Sequence, residues 1–288
     1  MENIRKKFRS YWTLIKSLQT ALLLITGLAG FMSSRCPWLN LSTTLSVAGS
    51  LFLAISGSTV LNMWYDRDID AKMERTRKRP LSSGDVPPGE ALILGLVLSV
   101  LGVGWALSMD LLYGAIVFAG LFFDVVIYTI WLKRRTAWSI VWGGLAGGMP
   151  VLAGRALGIG YIDWVGIMLA LAVLFWIPTH ILTFSLRYRE DYERAGIPTF
   201  PSTYGADTTR RLIALSSVLA SIAMALGALG AGMTVGYMRL IIVLSAGLLA
   251  LAAGTFIRPS DRLNFGLFKY ASLYMLTIML LLAAEVFK

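Results

Sequence analysis

Residues 90–108 read EALILGLVLSVLGVGWALS, and residues 111–131 read LLYGAIVFAGLFFDVVIYTIW. Each stretch has about the 20 apolar residues that an α-helix needs to cross roughly 30 Å of hydrocarbon. Inside hydrocarbon the backbone must satisfy its own hydrogen bonds, so stretches of this kind form helices. This part of the sequence therefore predicts two membrane-spanning helices joined by a very short turn.

The same pattern recurs along the whole chain. Of the 288 residues, 57% are hydrophobic and only 15% are charged, and the mean hydropathy of +0.70 is far above that of soluble domains. Nine apolar stretches are candidate spans: 14–33, 42–62, 90–108, 111–131, 138–157, 163–184, 212–232, 238–257 and 268–286. No polar stretch is long enough for a separate soluble domain. We therefore predict an all-α polytopic membrane protein in which residues 1–288 form a single membrane-embedded domain.

Basic residues lie almost entirely on one side of this predicted topology. If the amino terminus is cytoplasmic, all 26 Lys and Arg residues except Arg35, Arg155, Arg239 and Lys288 fall on the cytoplasmic side. The positive-inside rule thus predicts a protein of the cytoplasmic membrane with its amino terminus inside and, after nine spans, its carboxyl terminus outside. The net charge of +10 follows from this topology, so the expected partner is a lipid bilayer and not a nucleic acid.

Single cysteine and histidine residues limit the chemistry. One cysteine, Cys36, and one histidine, His180, exclude an internal disulfide and a Cys- or His-rich metal cluster, so any metal must bind oxygen ligands. His180 lies near the cytoplasmic end of the sixth predicted span, where an ionisable group is costly. It is either functional or a neutral histidine whose hydrogen bond is satisfied by a neighbouring helix. Asp124 and Arg155, also within spans, either pair with each other or line a cavity, and receive no assigned role.

An acidic motif stands at the end of the second predicted span. Asn62, Asp66 and Asp70 recur at every fourth position, which puts all three on one ridge of a helix. Oxygen ligands of this kind suit Mg²⁺, which combines a few carboxylates with waters and substrate phosphates. Basic residues follow within 72–79 and suit a diphosphate anion. A second acidic group follows the sixth span at 190–193. The alternative for the charge run alone is a solvated loop of mixed charge.

These motifs resemble those of a known superfamily. Asn62, Asp66 and Asp70, followed by Arg79-Pro80-Leu81, resemble the first signature of the UbiA superfamily of intramembrane prenyltransferases. Within it, the run 66–73 resembles the protoheme IX farnesyltransferases, or haem O synthases. Further stretches agree: Tyr128-Thr129 with 132–136, 143–147 with Met149-Pro150, and Arg187-Tyr188 with Asp191-Tyr192 and 195–198. The resemblance covers roughly residues 11–205.

The resemblance implies a UbiA-type helical bundle and a reaction. It implies Mg²⁺-dependent transfer of a prenyl group, expected to be farnesyl, from a prenyl diphosphate to a lipophilic acceptor, with protoheme IX favoured. An aromatic quinone precursor and geranylgeranylglyceryl phosphate stay open as acceptors. Outside the superfamily, a transporter would also place charges among its helices, and a CDP-alcohol phosphotransferase would share the Asp-x-x-x-Asp spacing. The transporter needs no facing acidic loops, and the upstream elements of the phosphotransferase are missing here.

The resemblance and the charge of the substrate together imply roles for particular residues. The implied metal ligands are Asn62, Asp66, Asp70, Glu190 and Asp191, of which Asn62, Asp66, Asp70 and Asp191 are expected to be catalytic. The implied diphosphate ligands are Lys16, Arg67, Arg79, Lys133 and Arg187. Trp64, Tyr128 and His180 are expected to contact the prenyl chain or the acceptor, although Trp and Tyr also favour membrane interfaces in general. The family's second acidic motif usually carries two aspartates, and Glu190-Asp191 stands in its place here.

Overall fold

The structure is a computed structural model that describes residues 2–35 and 40–287, and this part of the chain contains helices and no strands. The helices are α1 (Glu2–Leu14), α2 (Ser17–Ser33), α3 (Leu41–Asp70), α4 (Pro88–Met109), α5 (Leu111–Leu121), α6 (Ser139–Ile159), α7 (Trp164–Arg187), α8 (Arg189–Arg194), α9 (Phe200–Tyr204), α10 (Ala206–Gly230), α11 (Val235–Ile257) and α12 (Asp261–Ala284). A π-helix, Phe122–Leu132, continues α5. The predicted all-α class is confirmed. Cys36 lies outside the described residues.

Nine apolar helices correspond to the nine predicted spans. Within the described residues, eight helices are long and apolar enough to cross a bilayer, and α2 is a shorter apolar helix. The boundaries agree within a few residues except where α10 and α12 begin earlier, because their polar first turns do not register as apolar sequence. The helix α3 also continues beyond residue 62 to Asp70. Its 30 residues extend about 45 Å, which exceeds the thickness of hydrocarbon.

The apolar helices pack as a closed ring. Each of them packs against the next one along the chain, and α12 packs against α2. The helix α2 also packs against α6, which divides the ring into two groups of helices. This contact is close because glycines lie on it: a Cβ atom on Gly154 would collide with the carbonyl oxygen of Gly27. Small residues allow helix backbones to approach closely in membranes, so α2 and α6 form a tight pair at the centre of the bundle.

The two acidic segments predicted from the sequence are docked on each other. Ile69 and Met73, at the end of α3, form a small buried cluster with Ala195 and Ile197, which follow α8. Burial of these side chains brings the chain after α3 together with the chain after α7. The cluster lies at the end of the bundle where α3 and α7 both terminate.

Arg155 has a structural partner at the opposite end of the bundle. Its Nη2 donates to Asp163 Oδ2 at 2.7 Å, and its Nη1 donates to the carbonyl oxygen of Ser33 at 3.0 Å. Asp163 also caps α7 by accepting the N–H of Gly166 at 2.8 Å. Burial raises the pKa of Asp163, but Arg155 and the Gly166 N–H outweigh it and lower the pKa below its usual value. Arg155 therefore does not pair with Asp124, and it joins α6 to α2 and α7.

Candidate active site

A cavity of about 440 Å³ lies between α2, α3, α5, α6 and α7. Most of its wall is apolar and is contributed by side chains such as Leu51, Ile55 and Val117. Polar groups gather where α2 begins and where α3 and the π-helix end; we call this set the polar mouth, and it consists of Lys16, Asn62, Asp70, Arg79 and Lys133. The cavity can therefore hold a molecule that has an anionic head and an apolar body.

The predicted ridge of oxygen ligands forms on α3. Asn62, Asp66 and Asp70 are all buried on the last turns of the helix. Asp66 forms an ion pair with Lys133, and Asp70 Oδ2 accepts a hydrogen bond from Arg79 Nη1 at 2.6 Å. Each carboxylate thus faces a cation. A buried carboxylate needs such a partner unless it is protonated or bound to a metal, because an unpaired buried charge is costly.

The π-helix places three functional side chains on one face. Its backbone hydrogen bonds span five residues, as in the bond from Lys133 N to the Tyr128 carbonyl oxygen at 2.8 Å. The Thr129 hydroxyl also donates to the Asp124 carbonyl oxygen at 2.7 Å. This wider spacing brings Asp124, Tyr128 and Lys133 to the cavity wall together. Asn62 Nδ2 donates to Thr129 Oγ1 at 2.7 Å, which joins the π-helix to the ridge on α3. Such π-helical segments frequently occur at functional sites.

The ridge fits a metal ion that is shared with a substrate. No group of three acidic, His or Cys side chains able to hold a metal is found in residues 2–35 and 40–287. Asp66 Oδ1, however, is buried without a hydrogen-bond partner, which is costly for a carboxylate oxygen. Mg²⁺ needs only one or two protein carboxylates when substrate phosphates complete its shell. Asn62, Asp66 and Asp70 therefore fit a magnesium–diphosphate complex better than a metal held by protein ligands alone.

Lys16 is held in an unusual backbone conformation at the polar mouth. Its φ of 45° and ψ of 56° lie in the left-handed region, which a residue other than glycine rarely adopts and which often marks a functional position. The pKa of Lys16 is lowered to about 8, mainly by burial and also by the nearby charges of Arg79 and Lys133, against the opposite effect of Asp124 and Asp70. An anion bound at the mouth favours the charged ammonium.

Lys133 keeps its charge for a different reason. Burial lowers the pKa of its ammonium group, but the Tyr128 hydroxyl and the Asp66 carboxylate raise the pKa by more, so that it lies above its ordinary value. Its Nζ also lies 5.7 Å from the centre of the Tyr128 ring. The pKa of Lys133 is therefore raised, whereas that of Lys16 is lowered to about 8.

The second acidic segment lies outside this cavity. Asp191 accepts the backbone N–H groups of Glu74 and Arg75, each at 3.2 Å, and pairs with Arg194 at 2.5 Å. Burial raises the pKa of Asp191, but these donors outweigh it and lower the pKa below its usual value. Glu190 is exposed, and both acidic residues line a second, more open cavity. The structure therefore places Asp191 as an anchor for the chain after α3, and it does not bring Glu190 and Asp191 to the ridge.

The five predicted diphosphate ligands separate into two groups. Lys16, Arg79 and Lys133 meet at the polar mouth. Arg67 folds back over the Trp64 ring at 5.0 Å, and neither residue lines the cavity. Arg187 lies 5.6 Å from the Phe265 ring and lines the second cavity. Of the five, Lys16, Arg79 and Lys133 are thus the cations that can contact one anion bound at the polar mouth.

His180 lies among aromatic rings on the cavity wall. Its ring stacks with Trp176 at a centroid distance of 5.2 Å and contacts Phe268 at 5.2 Å and Phe184 at 5.1 Å. Its Nδ1 is buried without a hydrogen-bond partner. The neighbouring helix α12 packs on the ring through Phe268 and gives Nδ1 no hydrogen bond. The aromatic cluster therefore encloses a buried imidazole nitrogen next to the wall of the cavity.

Three residues with ionisable side chains on the wall of the main cavity were absent from the predicted site. Arg75 lines both cavities and lies 5.4 Å from the Tyr188 ring. Asp124 and Tyr192 line the main cavity. The sequence carries a feature at each of these positions that does not by itself indicate a cavity residue. Arg75 belongs to a basic run, Tyr192 adjoins an acidic motif, and Asp124 is a charged residue within an apolar span.

The family model described as the UbiA prenyltransferase family matches residues 23–280. The chain belongs to this family. This UbiA-family chain is 43% identical over 203 residues to a protoheme IX farnesyltransferase of Archaeoglobus fulgidus, covering 70% of this chain and 71% of the relative. It is 39% identical over 293 residues to a protoheme IX farnesyltransferase of Granulibacter bethesdensis, covering 96% and 90%. The predicted prenyltransferase activity and membrane location are thereby confirmed.

Solved structures share the fold of this UbiA-family prenyltransferase. A structure described as digeranylgeranylglyceryl phosphate synthase superposes with a TM-score of 0.80 at 21% identity and covers 99% of both chains. A UbiA homologue from Archaeoglobus fulgidus, bound to GPP and Mg²⁺, superposes with a TM-score of 0.70 at 17% identity and covers 96% of this chain and 99% of its own. The predicted UbiA-type bundle is therefore confirmed.

Proposed function

We propose that this enzyme transfers a farnesyl group from farnesyl diphosphate to protoheme IX, with release of diphosphate. The observation that carries the proposal is a cavity with a cationic mouth, an apolar body and an unpaired histidine among aromatic rings. Relatives up to 43% identical that are named protoheme IX farnesyltransferase support this donor and acceptor.

The diphosphate end of the donor binds at the polar mouth. Lys16, Arg79 and Lys133 surround the anion and stabilise the negative charge that develops as the allylic C–O bond breaks. Two of these cations are paired with Asp66 and Asp70 in the structure, so the incoming diphosphate competes with these carboxylates. When Arg79 and Lys133 bind the diphosphate, the carboxylates of Asp70 and Asp66 lose their partners. Their oxygens then lie next to the phosphate oxygens of the substrate.

Mg²⁺ is the proposed cofactor. Asn62, Asp66 and Asp70 would hold it, and the ion would neutralise negative charge on the diphosphate. The unpartnered Oδ1 of Asp66 supports this assignment. A second metal site at Glu190 and Asp191 requires Asp191 to leave the backbone N–H groups of Glu74 and Arg75.

The apolar part of the cavity holds the farnesyl chain and excludes water from the allylic cation. Tyr128 and Trp176 present aromatic rings, which stabilise a neighbouring cation through their electron-rich faces. His180 seats the acceptor, because its ring lines the cavity in a stack with Trp176, and such aromatic surfaces pack well against a flat porphyrin. We place the polar mouth and the amino terminus on the cytoplasmic side of the bilayer, which the distribution of Lys and Arg residues supports.

Product mass tests the proposal directly. Purified protein in detergent is supplied with Mg²⁺, with farnesyl or geranylgeranyl diphosphate, and in separate reactions with protoheme IX, 4-hydroxybenzoate or geranylgeranylglyceryl phosphate. We expect hydroxyfarnesylethyl haem from the first acceptor with farnesyl diphosphate. Product from another acceptor alone would replace the acceptor assignment and keep the reaction class. No product and no diphosphate release from any pair would contradict the proposed reaction.

A further inference from the structure

Asp124 carries a carboxylate within the membrane-spanning region and has no role in the donor or metal sites described above. It is partly exposed, and it lines the main cavity although it lies in the middle of an apolar segment. Its Oδ2 accepts a hydrogen bond from Ser58 Oγ at 2.5 Å. A carboxylate at such a position is costly and calls for a functional reason.

The position of Asp124 is just beneath the polar mouth. Its partner Ser58 lies four residues before Asn62 on α3, which is about 6 Å further along the helix axis, away from the mouth. The π-helix carries Asp124 on the same face as Tyr128 and Lys133. The carboxylate is therefore next to the place where the first carbon of a bound prenyl diphosphate lies when its phosphates occupy the mouth.

The other carboxylates near the cavity have different partners. Asp70 lines the cavity but is bound to Arg79, and Asp66 is paired with Lys133. Within the described residues, two acidic side chains line the cavity, Asp70 and Asp124. Asp124 differs from Asp70 in that its hydrogen-bond partner, Ser58, is a neutral hydroxyl. The cations Lys16 and Lys133 and the anion Asp66 are near enough to interact with it through space.

The proposed reaction needs a proton acceptor at this place. When the allylic C–O bond breaks, its electron pair leaves with diphosphate, and the π electrons of the haem vinyl group form the new C–C bond to the farnesyl carbon. The positive charge then lies on the vinyl carbon next to the porphyrin ring. Water supplies the hydroxyl oxygen to this carbon and must lose one proton. No oxidation or reduction takes place.

We propose that Asp124 is a catalytic residue of the second half of the reaction: its carboxylate binds the attacking water and accepts the proton that this water loses. This inference rests on the proposed function, because it assumes a vinyl acceptor. Ser58 donates to one carboxylate oxygen, which leaves the other oxygen to accept a hydrogen bond from the water. General-base catalysis of this kind contributes about 100-fold or more to a rate.

The product mixture distinguishes a base from a structural residue. Without a base for water, the cation instead loses a proton from the neighbouring methylene to the departing diphosphate, and the product is an alkene lighter by one water. We expect Asp124→Asn to lower the ratio of hydroxylated to alkene product at least about tenfold. We expect Asp124→Glu to restore part of the ratio, because it returns a carboxylate to this position. Isotopically labelled water must label the wild-type hydroxyl group.

Asp110→Asn is the matched control, because it removes a carboxylate from the far end of the same segment and Asn is also a good helix N-cap. Its product ratio must equal that of wild type. An unchanged ratio in Asp124→Asn overturns the inference, whatever happens to the overall rate. If that variant does not purify as folded protein, Asp124→Ser gives the same comparison. Failure of wild type to make any farnesyl haem would instead contradict the proposed function.

Discussion

The carboxylate of Asp191 accepts the backbone N–H of Arg75 at 3.2 Å, and this contact fastens the chain after α3 to the short helix α8. Arg75 itself reaches both cavities. The contact therefore joins the two acidic segments of the sequence through a hydrogen bond. It also sets the position of the chain that carries Arg79 to the polar mouth.

Removal of this anchor should loosen the mouth. We expect Asp191→Ala to lower the free energy of unfolding by about 2 kcal/mol, because two backbone N–H groups lose a charged acceptor. We also expect faster proteolysis within 71–87 and a higher KM for farnesyl diphosphate. Thermal unfolding and limited proteolysis measure these effects. The control Glu193→Ala removes an exposed acid from the same short helix, and it should behave as wild type. A stable Asp191→Ala protein with an intact loop would contradict the anchoring role.

The ridge on α3 should be essential for turnover. We expect Asp66→Asn and Asp70→Asn each to reduce diphosphate release by about 100-fold or more without preventing membrane insertion, because each removes a charge from the diphosphate site. The matched control is Asp68→Asn on the same turn, since Asp68 is exposed and pairs with Arg134 at 2.6 Å outside the cavity. Purified variants are assayed for diphosphate release at saturating Mg²⁺. Wild-type turnover in either ridge variant would remove the proposed metal role.

His180 should affect the acceptor and not the donor. We expect His180→Ala to weaken protoheme IX binding at least about tenfold, which corresponds to the loss of about 1.4 kcal/mol, and to leave Mg²⁺-dependent farnesyl diphosphate binding unchanged. Absorbance titration measures haem binding, and calorimetry measures donor binding. Phe118→Ala, at a half-exposed position away from the cavity, serves as the control. Equal loss of both affinities would indicate a structural effect instead of an acceptor site.

Donor binding should weaken in alkaline solution because of Lys16. Burial lowers the pKa of this residue to about 8, with Arg79 and Lys133 acting in the same direction and Asp70 and Asp124 against it. The ammonium is charged below that pH and neutral above it, so kcat/KM for farnesyl diphosphate should fall as the pH rises through about 8. Since kcat/KM reports the free enzyme, bound anion does not mask the transition.

The Lys16→Arg variant provides the decisive comparison. A guanidinium stays charged throughout this range, so the alkaline fall should move to higher pH. Lys72→Met, an exposed position outside the cavity, should leave the profile unchanged. The measurement is kcat/KM from about pH 6 to about pH 9.5. Identical alkaline limbs in wild type and Lys16→Arg would assign the transition to another group.

Local sequence determined the helices of this protein because the bilayer imposes a simple rule on apolar stretches. Runs such as 90–108 must satisfy their backbone hydrogen bonds internally, so their length and hydropathy predict where helices lie. The four-residue spacing of Asn62, Asp66 and Asp70 likewise predicts a shared ridge, since helix geometry alone sets it. The motifs also carried the family resemblance, and with it the reaction class.

Tertiary structure decided which charged groups meet, because this depends on how distant segments pack. No spacing in the sequence distinguishes Arg79, which reaches the polar mouth, from Arg67, which folds back on Trp64. Asp124 faces the cavity through the wider turn of a π-helix, and Asp191 turns to the backbone of Arg75 because two loops dock there. The interaction of a buried charge depends on which groups lie within a few ångströms of it. That distance is set by the packing of distant segments and cannot be read from local sequence.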